Sequence, residues 1–361
     1  MTQTPSDNPY AAVATHLDTA HALPGRAYTD PAVFSAERER VFAAGWLPVA
    51  RLSDLAEPGD YRSADLAGAP VVATRDRQGA LHVLSRACRH RGMPVVEGAG
   101  NATSLNCPYH LWRYGLDGAL LSAPAMERSA DFDPARCGLP PVRHETWGGW
   151  VFANLDGKAA PLTPALAPLA DRLAPIAPDR LVTAGVLTFE SPWNWKIMVE
   201  NFLESYHHIG PHASTLQQTN PGLATWATSD SLRFSILENP PASDDAGAFV
   251  VAAAFPATLM FFTEGEVPFG VWYELAGIEA TRFTLNIHLL VPPELAGVPE
   301  IVEEFRQQVA AIHGEDIPVC EGVQKGVASS LYTPGPLSHL EAALWAFHRH
   351  LADRFGDGSN A

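Results

Sequence analysis

Cysteine is scarce in this chain: four residues in 361. So few thiols exclude a fold held together by a disulfide framework. Basic residues are also few, 24 Lys and Arg against 40 Asp and Glu, for a formal net charge of −16. That balance argues against a nucleic-acid surface, which neutralises phosphates with Lys and Arg. Long apolar runs are missing. The stretch Phe249–Met260 is too short, and too broken by Pro256, to span a bilayer. The opening MTQTPSDNPYAAVATHLDTA has no basic segment followed by an apolar core, so the expectation is no secretory signal and a reducing, cytoplasmic setting. No GxGxxG strand–helix pattern or flavin motif occurs either, which excludes a dinucleotide-binding half. What is present is 47% apolar and 18% charged content, the composition of a folded chain, and a length sufficient for two domains.

Two of the four cysteines stand close to histidines, in Cys88-Arg89-His90 and Cys107-Pro108-Tyr109-His110. Two thiolates and two imidazoles in these pairs suit a two-iron, two-sulfur cluster with Cys on one iron and His on the other, the Rieske arrangement. Neutral imidazole in place of thiolate raises the reduction potential of such a cluster, which moves one electron at a time. The alternative is a Cys₂His₂ zinc site. Zinc fingers present two cysteines and then two histidines, whereas here each cysteine is followed by its own histidine. His82 lies in a strand-like run and reads as an ordinary histidine. Cys137 and Cys320 read as buried, inert side chains.

A second constellation spans Glu200–His212, with three histidines and two carboxylates, Glu200 and Glu204, in one short stretch. Two histidines and one carboxylate are how proteins hold non-haem Fe(II) with open coordination positions. Helical spacing pairs His208 with His212, but Gly210-Pro211 should end the helix before His212. Geometry alone therefore does not choose between His207 and His208. The carboxylate is expected from afar. In 299–329, Ile301, Phe305, Val309, Ile312, Val319 or Cys320, and Val323 form an apolar stripe at helical spacing, and Asp316 lies on it. A carboxylate on a buried seam is costly unless paired or bound to metal. Glu315 and Glu321 fall off the seam and are expected to be solvated.

The wording around these residues resembles one family. CRHRG at 88–92, CPYHLWRYGLDG at 107–118, the carboxylate-x-Tyr-His-x₄-His pattern on Glu204, Tyr206, His207 and His212, and EDIPVCEGVQKG at 315–326 are similar to the Rieske non-haem iron oxygenases of the aromatic ring-hydroxylating type, in their α subunit. The resemblance implies that Cys88 and Cys107 hold one cluster iron and His90 and His110 the other. It implies mononuclear Fe(II) on His207, His212 and Asp316, with His208 a neighbour. Glu204 would bridge His110 of the partner subunit to its own His207, and Asn201 and Tyr206 would support the centre. It further implies a homotrimer. O₂ would be the co-substrate, with electrons from NAD(P)H through a ferredoxin, a flavin reductase or both, and a hydroxylated or dealkylated product.

The implied fold is α+β: an all-β Rieske domain inserted near the front of a helix-grip (START-like) catalytic domain with an antiparallel sheet. Pattern along the chain agrees. Residues 1–45 read as a helical lead-in packing on the catalytic domain, with Asp30-Pro31 capping a short helix. Residues 46–157 alternate short β-rich runs with Gly and Pro, and should carry the cluster on two loops. Residues 158–361 begin with an Ala/Pro-rich linker at 158–178. They continue with strands at 183–190, 232–237, 249–254, 257–263, 270–275 and 281–291, and helices at 195–209, 299–329 and 338–355. For the substrate, a small aromatic or largely apolar compound is the first reading. The alternative is demethylation or hydroxylation of a quaternary ammonium compound of the betaine, choline or carnitine type, for which Phe202, Trp226, Phe261, Phe262, Trp272 and Tyr273 are candidates for an aromatic cage. A reading from another class is a Rieske electron carrier without oxygenase activity. It leaves the Glu204–His212 cluster without a purpose.

Overall fold

The computed structural model describes residues 8–228, 231–243 and 246–356, so the two extreme ends of the lead-in and of the C-terminal part lie outside it. The architecture is α+β. Between Leu47 and Asn154 the chain forms short strands and turns, with 3₁₀ turns at Leu52–Leu55 and Pro134–Arg136. Leu47–Arg51, Trp150–Asn154 and Arg143–Trp147 make one sheet, and Leu81–Ser85, Ala69–Arg75, Asp60–Leu66 and Ala99–Asn101 another. Leu105–Asn106, Arg113–Tyr114 and Leu120–Ser122 make a third, small sheet.

The larger part is built on a seven-stranded antiparallel sheet. Its order is Val182–Ser191, Phe283–Val291, Gly270–Ala276, Thr258–Thr263, Phe249–Ala254, Phe234–Asn239 and Trp226–Ala227. Alternation sorts its side chains onto two faces. Leu259, Val271, Tyr273 and Leu285 pack with the helices, in one core with Phe305, Val309 and Cys320 of the long Pro299–Val327 helix. Met260, Phe262 and Trp272 point the other way. They join Trp46, Trp150 and Phe152 of the front domain and Leu162, Leu166 and Leu169 of the linker.

Ion pairs fasten the front domain to this sheet. Arg62 reaches Glu274 at 2.7 Å and lies 3.3 Å from His288, which is itself 2.7 Å from Glu274. Burial pushes the Glu274 carboxyl up, but Arg62 and His288 more than offset it and hold it at about 2. Arg51, with its guanidinium 4.0 Å from the Trp150 ring centroid, donates to the carbonyls of Pro178 and Leu181.

The lead-in is fixed to the catalytic part by a buried network. Glu37 accepts from Lys196 Nζ at 2.6 Å, from Trp195 Nε1 at 2.8 Å and from the Tyr10 hydroxyl. Glu37 and Lys196 are both fully buried. One turn on, Glu200 takes the Tyr28 hydroxyl at 2.8 Å and His348 at 2.9 Å. These contacts seize the Trp195–Phe202 helix, which ends at the site described next. The Asp30 carboxylate caps Pro31–Glu37 by accepting from Ala32 N–H, as Asp before Pro leads one to expect.

The helix expected at 195–209 is two pieces. It stops at Phe202, and a 3₁₀ turn, Tyr206–Ile209, follows. The break has a local cause. The Glu204 carboxylate captures the His207 backbone N–H at 2.9 Å, so the chain starts a new turn instead of extending the old one. Cys137 is half-buried, whereas Cys320 is enclosed as expected. No helix among the described residues is long and apolar enough to cross a membrane.

Candidate active site

Two loops of the front domain repeat one another. Cys88 N–H donates to Met93 O at 2.9 Å and Gly92 N–H returns to Cys88 O at 2.8 Å; Cys107 N–H donates to Trp112 O at 2.8 Å and Leu111 N–H returns to Cys107 O at 3.1 Å. The fifth residue of each, Gly92 (φ 77°) and Leu111 (φ 59°), is left-handed. Glycine takes that conformation freely, while Leu111 must be held in it by the loop. Each loop buries its cysteine and exposes its histidine. The His90 and His110 rings meet edge to face at 4.7 Å, and His90 stacks on Trp112 at 5.1 Å. Burial and the neighbouring Cys88 thiol push the Cys107 thiol up, which is the condition of thiols kept from water with no cation beside them. Desolvation and the nearby His90 and Arg91 push His110 down, favouring the neutral imidazole that binds metal. Two inner sulfurs and two outer nitrogens are a donor set that fits a Rieske cluster.

The second site lies where the Trp195–Phe202 helix, the 3₁₀ turn and the long helix converge. His207, His212 and Asp316 each offer one ligand atom, all within 4.8 Å of one another. Asp316 Oδ1 is 3.0 Å from His212 Nε2 and 3.5 Å from His207 Nε2. Both outer ring nitrogens are engaged by carboxylates: His207 Nδ1 by Glu204 at 2.7 Å and His212 Nδ1 by Glu315 at 2.6 Å. That arrangement fixes each tautomer and turns both Nε2 atoms inward, which fits a facial two-histidine, one-carboxylate metal centre. Asn201 Nδ2 donates to Asp316 at 3.3 Å. Burial raises the Asp316 carboxyl, but His212 and His207 outweigh it and keep it low, so it stands ready as an anion.

His208 is buried but outside the three-residue group. Its Nδ1 is 2.9 Å from the Asn220 carbonyl, and burial pushes the ring down to about 4. Tyr206, expected to support the centre, is 39% exposed and does not line the cavity beside the site. The cavity holds about 100 Å³ and is walled by two aromatic pairs, Phe202–Tyr273 and Phe249–Phe261, each with ring centroids 4.8 Å apart. Three of the six candidate pocket residues, Phe202, Phe261 and Tyr273, therefore line it. Phe262 and Trp272 do not. They adjoin Phe261 and Tyr273 in sequence, and strand alternation sends them to the opposite face. Trp226 is 51% exposed on the edge strand.

Glu315 corrects a further expectation. It is not a solvated bystander, because it accepts from both His212 Nδ1 and Thr215 Oγ1. Its only mark in the sequence is adjacency to Asp316. Phe249 went unnoticed because its strand reads as plain core. His313, one turn before Asp316, is fully buried, and both its ring nitrogens lack a hydrogen-bond partner among the described residues. It packs 4.6 Å from Phe189.

Comparison with known proteins extends this picture. Residues 45–138 match the Rieske [2Fe-2S] domain, and residues 178–238 and 233–357 match the ring hydroxylating alpha subunit (catalytic domain). The carnitine monooxygenase oxygenase subunit of Escherichia coli (strain K12) is 32% identical over 326 residues, covering 87% of this chain and 86% of the relative. The chloroplastic choline monooxygenase of Spinacia oleracea is 28% identical over 346 residues, covering 92% and 77%. A crystal structure of a quaternary ammonium Rieske monooxygenase with L-carnitine superposes with a TM-score of 0.82 at 26% identity, covering 99% of this chain and all of that one. With both parts of the chain matched in the expected order, it belongs to the Rieske non-haem iron oxygenases as their α subunit, an oxidoreductase that carries a [2Fe–2S] cluster and mononuclear iron and incorporates molecular oxygen with electrons from a reductase.

Proposed function

We propose that this chain oxygenates a small quaternary ammonium compound. The observation that carries the reading is the cavity beside His207, His212 and Asp316. Four aromatic rings wall it and two carboxylates, Glu204 and Asp316, line it. Aromatic rings attract a cation, and an apolar lining suits methyl groups. Its size is well below the ~300–1,000 Å³ of pockets for drug-sized ligands. The names of the relatives, carnitine and choline monooxygenases, favour this reading over the aromatic substrate.

His207, His212 and Asp316 hold the mononuclear iron, and Cys88, Cys107, His90 and His110 hold the cluster. Bound there, the cluster supplies electrons singly and the iron supplies oxygen activation. The chain's own residues do the rest. Glu204 and Glu315 orient the two histidine ligands, Asn201 steadies Asp316, and the aromatic pairs seat the substrate and exclude water. One substrate C–H becomes C–OH, with O₂, two electrons and two protons consumed and one water released. On an N-methyl carbon the product collapses to formaldehyde and the demethylated amine.

The working form is a homotrimer in which Glu204 links His207 to His110 of the partner subunit. Exposed apolar side chains at the cluster tip (Met93, Tyr109, Leu111) and near the iron ligands in the chain (Tyr206, Ile209) support such docking. Electrons come from NAD(P)H through a flavin reductase or ferredoxin, in the cytoplasm. The division at residues 45 and 157 separates lead-in, cluster domain and catalytic domain. With a reductase and NADH supplied, quaternary ammonium compounds should drive oxygen uptake matched by formaldehyde or hydroxylated product. Uptake driven only by neutral aromatic compounds would overturn the reading.

A further inference from the structure

A second cavity, of about 290 Å³, lies across the seven-stranded sheet from the iron site and shares no lining residue with the first. Trp46, Phe152, Leu162, Leu166 and Ala254 wall it, all from the core on that face. Lead-in, cluster domain, linker and sheet meet there, and Arg354 of the Ala342–Phe355 helix closes the ring. Its volume is close to the ~300 Å³ at which small-molecule sites begin.

The polar side of this cavity is cationic, although the chain as a whole carries −16. Lys158, Arg233 and Arg354 line it, with Asp156 as the carboxylate among the described residues. Asp156 already spends one oxygen on the Lys158 backbone N–H, at 2.9 Å. Neither arginine makes an ion pair among the described residues, whereas Arg172 of the linker is held by both Glu238 and Glu264. Arg354 Nε is sealed from water without a hydrogen-bond partner, while its terminal nitrogens are not sealed. Burial, and then Arg233, pull the Arg354 guanidinium below its ordinary value, and Asp353 and Asp156 offset this in part. A guanidinium stays charged in a protein, so relief must come from an anion. Two such forks match the oxygens of a carboxylate or a phosphate. The aromatic and aliphatic wall suits an apolar body.

We propose that this cavity is a binding site for a small organic anion, a carboxylate or phosphate head on a short apolar body, with the head held between Arg233 and Arg354. An occupant would touch the lead-in, the cluster domain, the linker, the sheet and the last helix at once, and so would tie them together.

The test is calorimetric titration of the anaerobic, fully loaded enzyme with benzoate and phenyl phosphate, beside benzyl alcohol and inorganic phosphate. One of the two aromatic anions should bind about tenfold or more tighter than both benzyl alcohol and inorganic phosphate. It should also raise the melting temperature progressively with its concentration. Whichever anion is tighter assigns the head group. Arg233→Met and Arg354→Met should each weaken that anion about tenfold or more, with iron content and cluster absorbance unchanged. Arg233 is exposed and without a side-chain partner among the described residues, so Arg233→Met decides if Arg354→Met does not fold. Benzyl alcohol binding as tightly would reduce the site to an apolar hole. Inorganic phosphate binding as tightly would mean an adventitious ion only. Full-strength binding in the variants would put the anion elsewhere, on the iron for instance. Each of these would overturn the proposal, as would binding of neither anion, and none bears on the quaternary ammonium reading.

Discussion

Removing the Glu315 carboxylate should loosen the mononuclear iron without touching the cluster. Glu315 Oε2 accepts from His212 Nδ1 at 2.6 Å and from Thr215 Oγ1 at 2.7 Å, and His212 is only 1% exposed. In Glu315→Ala the imidazole loses its acceptor in a place water hardly reaches, and a stranded buried donor costs about 1–3 kcal/mol. Loss of a carboxylate that orients a metal-binding histidine typically weakens metal affinity about 10–100-fold, or about 1.4–2.7 kcal/mol, so the two routes agree. Glu315→Gln keeps an acceptor and loses the charge, and should fall between Ala and wild type. The assay is competition for Fe(II) against a chelator under anaerobic conditions, with cluster absorbance as the internal count of intact protein. If Glu315→Ala held iron as tightly as wild type, the carboxylate would not be orienting His212, and the reasoning would fail.

The other predictions concern metal count, the buried network and pH. Fully loaded protein should carry three irons per chain, and His207→Ala should remove one of them while leaving the visible spectrum of the cluster in place; a count of two in the wild type would favour a simple electron carrier. Lys196→Met should destabilise the fold by about 3–5 kcal/mol, because it leaves the Glu37 carboxylate buried without its cation, whereas the double variant Lys196→Met with Glu37→Leu should recover much of the loss in a denaturant titration. The contact between the two domains should weaken in acid. Glu274 titrates at about 2 in the folded chain, below the ordinary carboxylate value of ~4.3, so its contribution is complete above that value and fades as pH falls toward 2. Unfolding followed across that window should show this slope in the wild type and a shallower one in Glu274→Gln.

Much of the site could be read from the sequence where the chemistry is local. Cys88, His90, Cys107 and His110 sit in two short words, and each loop is closed by its own backbone. Asp316 was legible because a carboxylate on an apolar stripe demands a partner. The choice of His207 over His208 needed resemblance, because it depends on where the helix breaks, and that break is made by a side-chain-to-backbone bond from Glu204. The cavity wall was half legible. Aromatic strands announce a core, but Phe261 and Phe262 differ only in which face of the sheet they meet, and register across seven strands decides that. Glu315 was misread because helical spacing on one helix carries no information about His212, a hundred residues earlier and packed against it.

The Glu204 carboxylate spends one oxygen on the His207 backbone and the other on the His207 ring. Each oxygen has two lone pairs, so two stay vacant after both bonds are made. An incoming imidazole from a second chain would therefore add a contact instead of displacing one. In the proposed ring of chains, assembly and loading of the metal would not compete, and either could come first.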